Sequence, residues 1–278
     1  MPWSTSGPVA GVDEGPAAGR PAGFSGAARP EHPPDRERPI GAAGDHEAGA
    51  VTAVFAHRGA TATHRENTLE AFEEARRLGA DGVELDVRRS ADGALVIHHD
   101  AAIEGLGRVA DLAVGSLPAH VPLLVEALEV CAGMIVNVEI KNSEGDPGYD
   151  PSEAISVATA AAIAEAGWSE QVIVSSFSPA AIEAARNADP HLVVGWLLEW
   201  TASGSECLAQ AIGAGYGAIH PFVTQVDADL VATAHDAGVA VNVWTVNSLA
   251  DLRSMADLGV DAVITDQVLD AIGAVRGA

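Results

Sequence analysis

Cysteine is almost absent from this chain of 278 residues: Cys131 and Cys207 are the only two. Two distant cysteines make neither a metal cluster nor a disulfide framework, and each reads as a small buried apolar residue. Cations are scarce too, with 15 Lys and Arg against 39 Asp and Glu and a formal net charge of -24. That balance speaks against nucleic acid as a partner, because a phosphate backbone needs a basic surface. It also speaks against anionic membrane surfaces. No run approaches the ~18 apolar residues of a membrane helix, so stable membrane insertion is not expected. No basic segment followed by an apolar stretch opens the chain, so a cytoplasmic location is the expectation.

Residues 1–50 differ in texture from the rest. Seventeen of these fifty are Gly or Pro. Pro33-Pro34 and the repeated Gly-Ala steps sustain neither helical nor strand periodicity. The stretch reads as a disordered extension, which leaves 51–278 as one domain of barrel size. From Val51 onward strands and helices alternate. Residues 51–56 read as a strand and 67–78 as a helix, with Asn67 at its N-cap, Glu70 as capping-box partner and Glu73 paired with Arg77. Residues 82–87 are a strand. Residues 94–98 follow the turn signal Ala91-Asp92-Gly93 too closely for a helical crossover of about a dozen residues, so they return antiparallel. A helix at 122–131, with Pro122 in its first turn, a strand at 134–140 and a loop at 145–151 follow. Strands recur at 172–175, 192–197, 218–220, 239–244 and 262–265, with helices between and after them. Without the hairpin arm eight strands remain, which predicts an α/β fold, the (β/α)8 TIM barrel, with a short hairpin insertion after the second strand. A doubly wound sheet would want a Gly-rich phosphate turn after its first strand, and Gly59-Ala60-Thr61 is not one.

Chemistry-bearing side chains concentrate between His57 and Asp100, in His57-Arg58-Gly59, Glu66-Asn67-Thr68, Glu84-Leu85-Asp86 and His98-His99-Asp100. Alternate strand residues share a face, so Glu84 and Asp86 point one way and Val83, Leu85 and Val87 the other. Inside a strand-lined interior the two acids would repel and be costly to desolvate. A hard divalent cation, Ca2+ or Mg2+, removes that cost; the spacing alone leaves open a solvated strand face. Asn137, Glu139 and Lys141 also share a face. Glu139 is then a third metal oxygen and Lys141 a point charge for a phosphate, or the two form a buried ion pair. His57 ends the first strand and can exchange protons near neutral pH. Arg58 can grip a phosphate with two N–H groups. Their plainer roles are a capping imidazole and a surface guanidinium. His98 and His99 point apart, so only one faces a site. Trp244, near a strand end, either packs on a ligand or fills core. Ser175-Ser176 lack a partnered base and signal no nucleophile.

The order and spacing of these pieces resemble the glycerophosphodiester phosphodiesterase family. The likeness extends through Glu139-Ile140-Lys141, Ser175-Ser176-Phe177, Val243-Trp244-Thr245-Val246-Asn247 and Ile264-Thr265-Asp266, and covers about residues 51–275. It implies the same barrel and a metal-dependent hydrolysis of glycerophosphodiesters to glycerol 3-phosphate and an alcohol. It implies that Glu84, Asp86 and Glu139 hold one divalent cation and that Arg58 and Lys141 meet the phosphate. His57 and His99 become the acid–base pair, and Trp244 meets the alcohol part. The family pattern sets its imidazole directly before the Asp, which selects His99 over His98. Two departures stand out: Arg65 replaces the proline before Glu-Asn-Thr, and residues 101–106 lack the familiar Asp-Arg-Thr-Thr segment. Thr265-Asp266 is expected to close the last strand and cap the helix after it. The alternatives are a phospholipase-type barrel that releases a cyclic phosphate and a silent barrel that binds phosphorylated ligands. A zinc hydrolase would want several His ligands, against the carboxylate-rich set here.

Overall fold

The computed structural model describes residues 51–277; the expectation of a disordered 1–50 lies outside them. Nine strands form one sheet: β1 (Ala53–His57), β2 (Gly82–Arg89), β3 (Leu95–Ile97), β6 (Ile135–Ile140), β7 (Val172–Ser176), β8 (Val193–Leu197), β9 (Ala218–His220), β10 (Ala240–Val243) and β11 (Ala262–Thr265). The short β4 (Ala102–Ile103) and β5 (Gly107–Arg108) make a separate ribbon in the loop beyond β3. Eight strands run parallel, β1 pairs with both β2 and β11, and the sheet closes into a (β/α)8 barrel. β3 lies antiparallel on β2, as the short turn required.

The strands carry two apolar faces for two purposes. Val54, Val83, Leu85, Val87, Val136, Val138 and Ile140 belong to the main core, which also holds apolar side chains of the helices. A smaller cluster, separate from the main core, gathers Phe55, Ile173, Ala262 and Ile264. Such a barrel is a packed core, and its functional residues gather where the strands end. Cys131 and Cys207 are both buried, as small apolar residues are.

Several local readings are corrected. Helix α1 (Leu69–Leu78) is capped by Thr68, whose Oγ1 accepts from the Ala71 N–H at 3.3 Å, and not by Asn67. Both residue types make good caps, but Asn67 sits at φ 56° and its side chain serves the barrel mouth instead. Arg77 pairs with Glu74, one residue nearer than Glu73, at 2.6 Å. Pro122 stands ahead of helix α2 (Leu124–Val130), its carbonyl accepting from the Ile97 N–H. Helix α3 (Ala154–Ala166) has no counterpart among the expected segments: its run of Ala, Ile and Val has no polar stripe to mark a helical period. Helices α4 (Pro179–Ala188), α5 (Gly204–Ala214), α6 (Ala228–Asp236), α7 (Leu249–Leu258) and α8 (Val268–Arg276) fall where expected. Among the described residues no helix is long and apolar enough to cross a membrane.

Close approach explains one glycine in the wall. A Cβ on Gly82 would stand 2.7 Å from Phe55 Cδ1 and 2.7 Å from the Ile135 carbonyl oxygen, so the strand has no room for a side chain there. Gly82→Ala should therefore destabilise the fold by about 1–3 kcal/mol, the usual cost of overpacking. Urea unfolding measures it, and an unchanged midpoint would refute the tight packing.

Candidate active site

Strand register assembles the site. His57 pairs with Glu84 across β1 and β2, and Asp86 pairs with Glu139 across β2 and β6. With the alternation of side chains, that register turns Glu84, Asp86 and Glu139 into one interior cluster. They are 3%, 0% and 8% exposed, and each offers an oxygen within 4.8 Å of the others. The solvated-face alternative is thereby removed. Arg58 and Gly59 follow β1 at φ 56° and 90°. That left-handed pair swings the chain back so that the Arg58 N–H donates to Glu84 Oε2 at 3.0 Å. Gly59 cannot be larger, because a Cβ there would meet Ala71 Cβ at 2.7 Å.

The cluster is only partly compensated. Asn67 Nδ2 donates to Asp86 Oδ2 at 2.7 Å, and Arg58 Nε stands 3.3 Å from that oxygen. Lys141 Nζ donates to Glu139 Oε1 at 2.7 Å and lies 3.2 Å from Asp86 Oδ1. The latter approach is an ion pair at an angle that makes no hydrogen bond, so Asp86 Oδ1 has a counter-charge but no donor. Glu84 Oε1 has no hydrogen-bond partner among the described residues. Burial pushes the Glu84 carboxyl up, and Asp86 beside it pushes it further. Burial acts the same way on Asp86, but Lys141 and Arg58 together hold that carboxyl below the usual carboxylate range. Buried hard oxygens, two of them without a donor, fit a divalent cation such as Mg2+ or Ca2+.

A cavity of about 160 Å3 opens on this cluster. Its polar wall comprises His57, Arg58, Glu84, His99, Asn137, Glu139 and Lys141, and its apolar wall Phe177, Leu197, Trp244 and Ile264. All eight residues singled out in the sequence are thus in one place, Asp86 being buried directly behind the wall. Trp244 stands edge-on to Phe177 and Phe222 at 5.6 and 5.3 Å, and its indole N–H donates to the His220 carbonyl at 2.8 Å. His220 itself is fully buried, with Asn242 donating to its Nε2 at 3.2 Å, and burial drives its pKa down to about 3. Gly195 makes room for that ring, since a Cβ there would meet its Nε2.

The two imidazoles are held differently. His57 Nδ1 lies 2.8 Å from Asp266 Oδ1, and Nε2 lies 3.9 Å from Glu84 Oε2. Burial opposes charge on His57, but Asp266 and Glu84 raise its pKa above the ordinary value. Asp266 therefore does not cap α8, whose N-cap Gln267 makes no side-chain cap; the Gln267 N–H is met by Thr265 Oγ1. His99 Nδ1 lies 2.8 Å from the exposed Asp100 carboxylate. His98 is turned elsewhere, its Nδ1 2.9 Å from the Asp100 carbonyl. Two residues outside the expected set complete the frame. Arg88 Nε donates to the His99 carbonyl at 2.9 Å while its guanidinium pairs with Asp146. Arg65, at the proline position, donates to His120 Nε2 at 2.6 Å and ties that turn to the loop beyond β3.

Comparison with known proteins shows the family and the fold. The sequence model of the glycerophosphoryl diester phosphodiesterase family matches residues 57–270. A glycerophosphodiester phosphodiesterase of Caldanaerobacter subterraneus is 32% identical over 245 residues, 81% of this chain and 98% of the relative. A crystal structure from Silicibacter pomeroyi, described as a putative glycerophosphoryl diester phosphodiesterase, superposes with a TM-score of 0.72 at 26% identity, over 82% of this chain and 94% of that one. A phosphodiesterase of Oleispira antarctica, solved with the product sn-glycerol-3-phosphate, superposes with a TM-score of 0.70 at 25% identity, over 81% of this chain and 97% of that one.

The Arg88–Asp146 pair anchors the His99 segment, and its side chains are 8% and 17% exposed. Arg88→Ala should cost about 2–3 kcal/mol in urea unfolding, somewhat less than breaking a fully buried pair. It should also speed amide exchange at His99 and Asp100. Unchanged exchange there would show that the segment is held by something else.

Proposed function

We propose a mechanism from the premise that the chain belongs to the glycerophosphoryl diester phosphodiesterase family and is an enzyme that hydrolyses glycerophosphodiesters. In it Glu84, Asp86 and Glu139 hold one divalent cation, Mg2+ or Ca2+, and His57 and His99 move the protons. The observation that carries this reading is the buried carboxylate cluster facing two imidazoles and two cations in one cavity. Charge counting supports it. Three carboxylates and a phosphodiester carry four negative charges, Lys141 and Arg58, the latter also shared with Glu66 at 3.0 Å, return at most two, and a divalent ion would offset the rest. When bound, such an ion would polarise a phosphate oxygen and offset the charge that builds in the transition state.

The chain's own side chains do the rest. Arg58 presents a planar fork to phosphate oxygens and Lys141 a compact charge. One imidazole takes the proton from the attacking oxygen as the P–O bond forms. The other gives a proton to the departing alkoxide as its P–O bond breaks, so proton count and charge balance across the step. The attacking oxygen is a water or the substrate's neighbouring hydroxyl, which a bound glycerol holds at high effective concentration. Attack by the hydroxyl makes a cyclic ester, and Arg58 and Lys141 hold it for opening by water. Either route ends in glycerol 3-phosphate and an alcohol. Phe177 and Trp244 offer the alcohol a surface rather than a charge.

Phosphorus NMR of glycerophosphocholine turnover tests the reading. The expected final signal is the acyclic monoester, and excess chelator should abolish it. His57→Ala and His99→Ala should each lose roughly 10²–10⁴-fold in kcat, and His98→Ala far less. A final spectrum of cyclic glycerophosphate would favour a phospholipase-type reaction. Full turnover in chelator, or a larger loss from His98→Ala than from His99→Ala, would overturn the residue roles.

A further inference from the structure

Closing the barrel brings the end of the chain to its beginning. Ala56 pairs with Thr265 across β1 and β11, so the next residue on each, His57 at the end of β1 and Asp266 just past β11, become neighbours although they are 209 positions apart. The Asp266 carboxylate is held from two loops besides the end of β1. Thr61 Oγ1 donates to its Oδ1 at 3.2 Å, and Asn247 Nδ2 donates to its Oδ2 at 2.7 Å. Asn247 in turn accepts from the Asp266 N–H at 2.9 Å and from Thr265 Oγ1 at 3.1 Å. The next group on Oδ1 is His57 Nδ1 at 2.8 Å. Asp266 lies behind the His57 ring and is not part of the cavity wall, and it caps no helix.

An ionised carboxylate only accepts, so the nitrogen facing it must carry the hydrogen. A neutral imidazole then has its lone pair on Nε2, the atom on the Glu84 side of the ring and hence toward the cavity. We propose that Asp266 is a positioning residue that fixes His57 in the Nδ1–H tautomer and aims Nε2 at the substrate, with Thr61 and Asn247 locking the carboxylate. Asp266 touches no reacting atom and acts through His57. His99 has a looser counterpart: its Nδ1 also lies 2.8 Å from a carboxylate, but that of Asp100, adjacent in sequence and 74% exposed. The proposal rests on the reading that His57 exchanges a proton.

Asp266→Asn tests it, because an amide can turn its NH2 toward Nδ1 and favour the opposite tautomer. The variant should lose about 10²–10⁴-fold in kcat on glycerophosphocholine, as acid–base and tautomer-fixing groups do. KM should stay within about threefold, since ground-state binding is untouched. In substrate-free protein with ¹⁵N-histidine, recorded above the titration of His57, the ring should change from the Nδ1–H to the Nε2–H pattern. Asp266→Glu, which keeps the charge, should recover part of kcat. Activity within about threefold of wild type would overturn the proposal. So would an unchanged His57 tautomer, or kcat, KM and melting temperature falling together in both the Asn and Glu variants. Should Asp266→Asn not fold, the wild-type spectrum still decides, because an Nε2–H pattern there contradicts the geometry. If wild type turns over no glycerophosphodiester, it is the hydrolase reading that fails, and the spectrum judges Asp266 independently.

Discussion

The arrangement depends on one constraint: three carboxylates buried within 4.8 Å of one another. Unit charges about 4 Å apart repel by about 4 kcal/mol at an effective dielectric of 20. Three such pairs approach the whole stability margin of an ordinary domain, about 5–15 kcal/mol. Ionised and uncompensated, the cluster could not be kept. The features around it follow from that need. Arg58 and Asn67 both accept a left-handed backbone, a local cost of about 1–3 kcal/mol each, and both deliver donors or charge to Asp86. Lys141 lies on the same face as Glu139 and reaches both Glu139 and Asp86. A surface of net charge -24 gives no general help, so compensation has to be built locally from two of only 15 cations.

The same economy shapes the two sides of the cavity. One side is ionic and rigid, because each charged group holds another. The opposite side is an aromatic edge-to-face stack around Trp244, fixed by a hydrogen bond from its indole to the His220 backbone. Its foundation is a neutral buried imidazole seated where Gly195 leaves space. The carboxylates lie on β2 and β6, whereas Phe177, His220 and Trp244 lie on or beyond β7, β9 and β10, so the charged and aromatic walls are anchored in different strands.

The barrel and the shared faces of the carboxylates are legible in short-period patterns, whereas His57, Arg58, His99 and Trp244 are singled out by the family resemblance. Alternation alone put Glu84 with Asp86, and Glu139 with Lys141, on common faces, and a turn too short for a crossover marked β3 as antiparallel. What alternation cannot give is register between strands, so the facing of Asp86 and Glu139 became visible only with the β2–β6 pairing. Asn67 reads as a cap because Asn is in isolation at least as good an N-cap as Thr; its link to Asp86 spans 19 residues. Asp266 looks like a helix cap in the sequence, since the barrel seam that joins it to His57 is not a local property. Helix α3 escaped because a run of Ala, Ile and Val carries no period. Arg88 gave no sign either: nothing in the sequence says that its guanidinium reaches from β2 to Asp146 and the His99 carbonyl.

Calorimetric titration of Mg2+ and Ca2+ into metal-free protein tests the central claim most directly, because it reads the carboxylate cluster without substrate or turnover. The account predicts one saturable site for at least one of the two ions, lost in Glu84→Gln, which removes a buried charge and keeps the shape. No saturable heat with either ion, or the same site in wild type and Glu84→Gln, would contradict it.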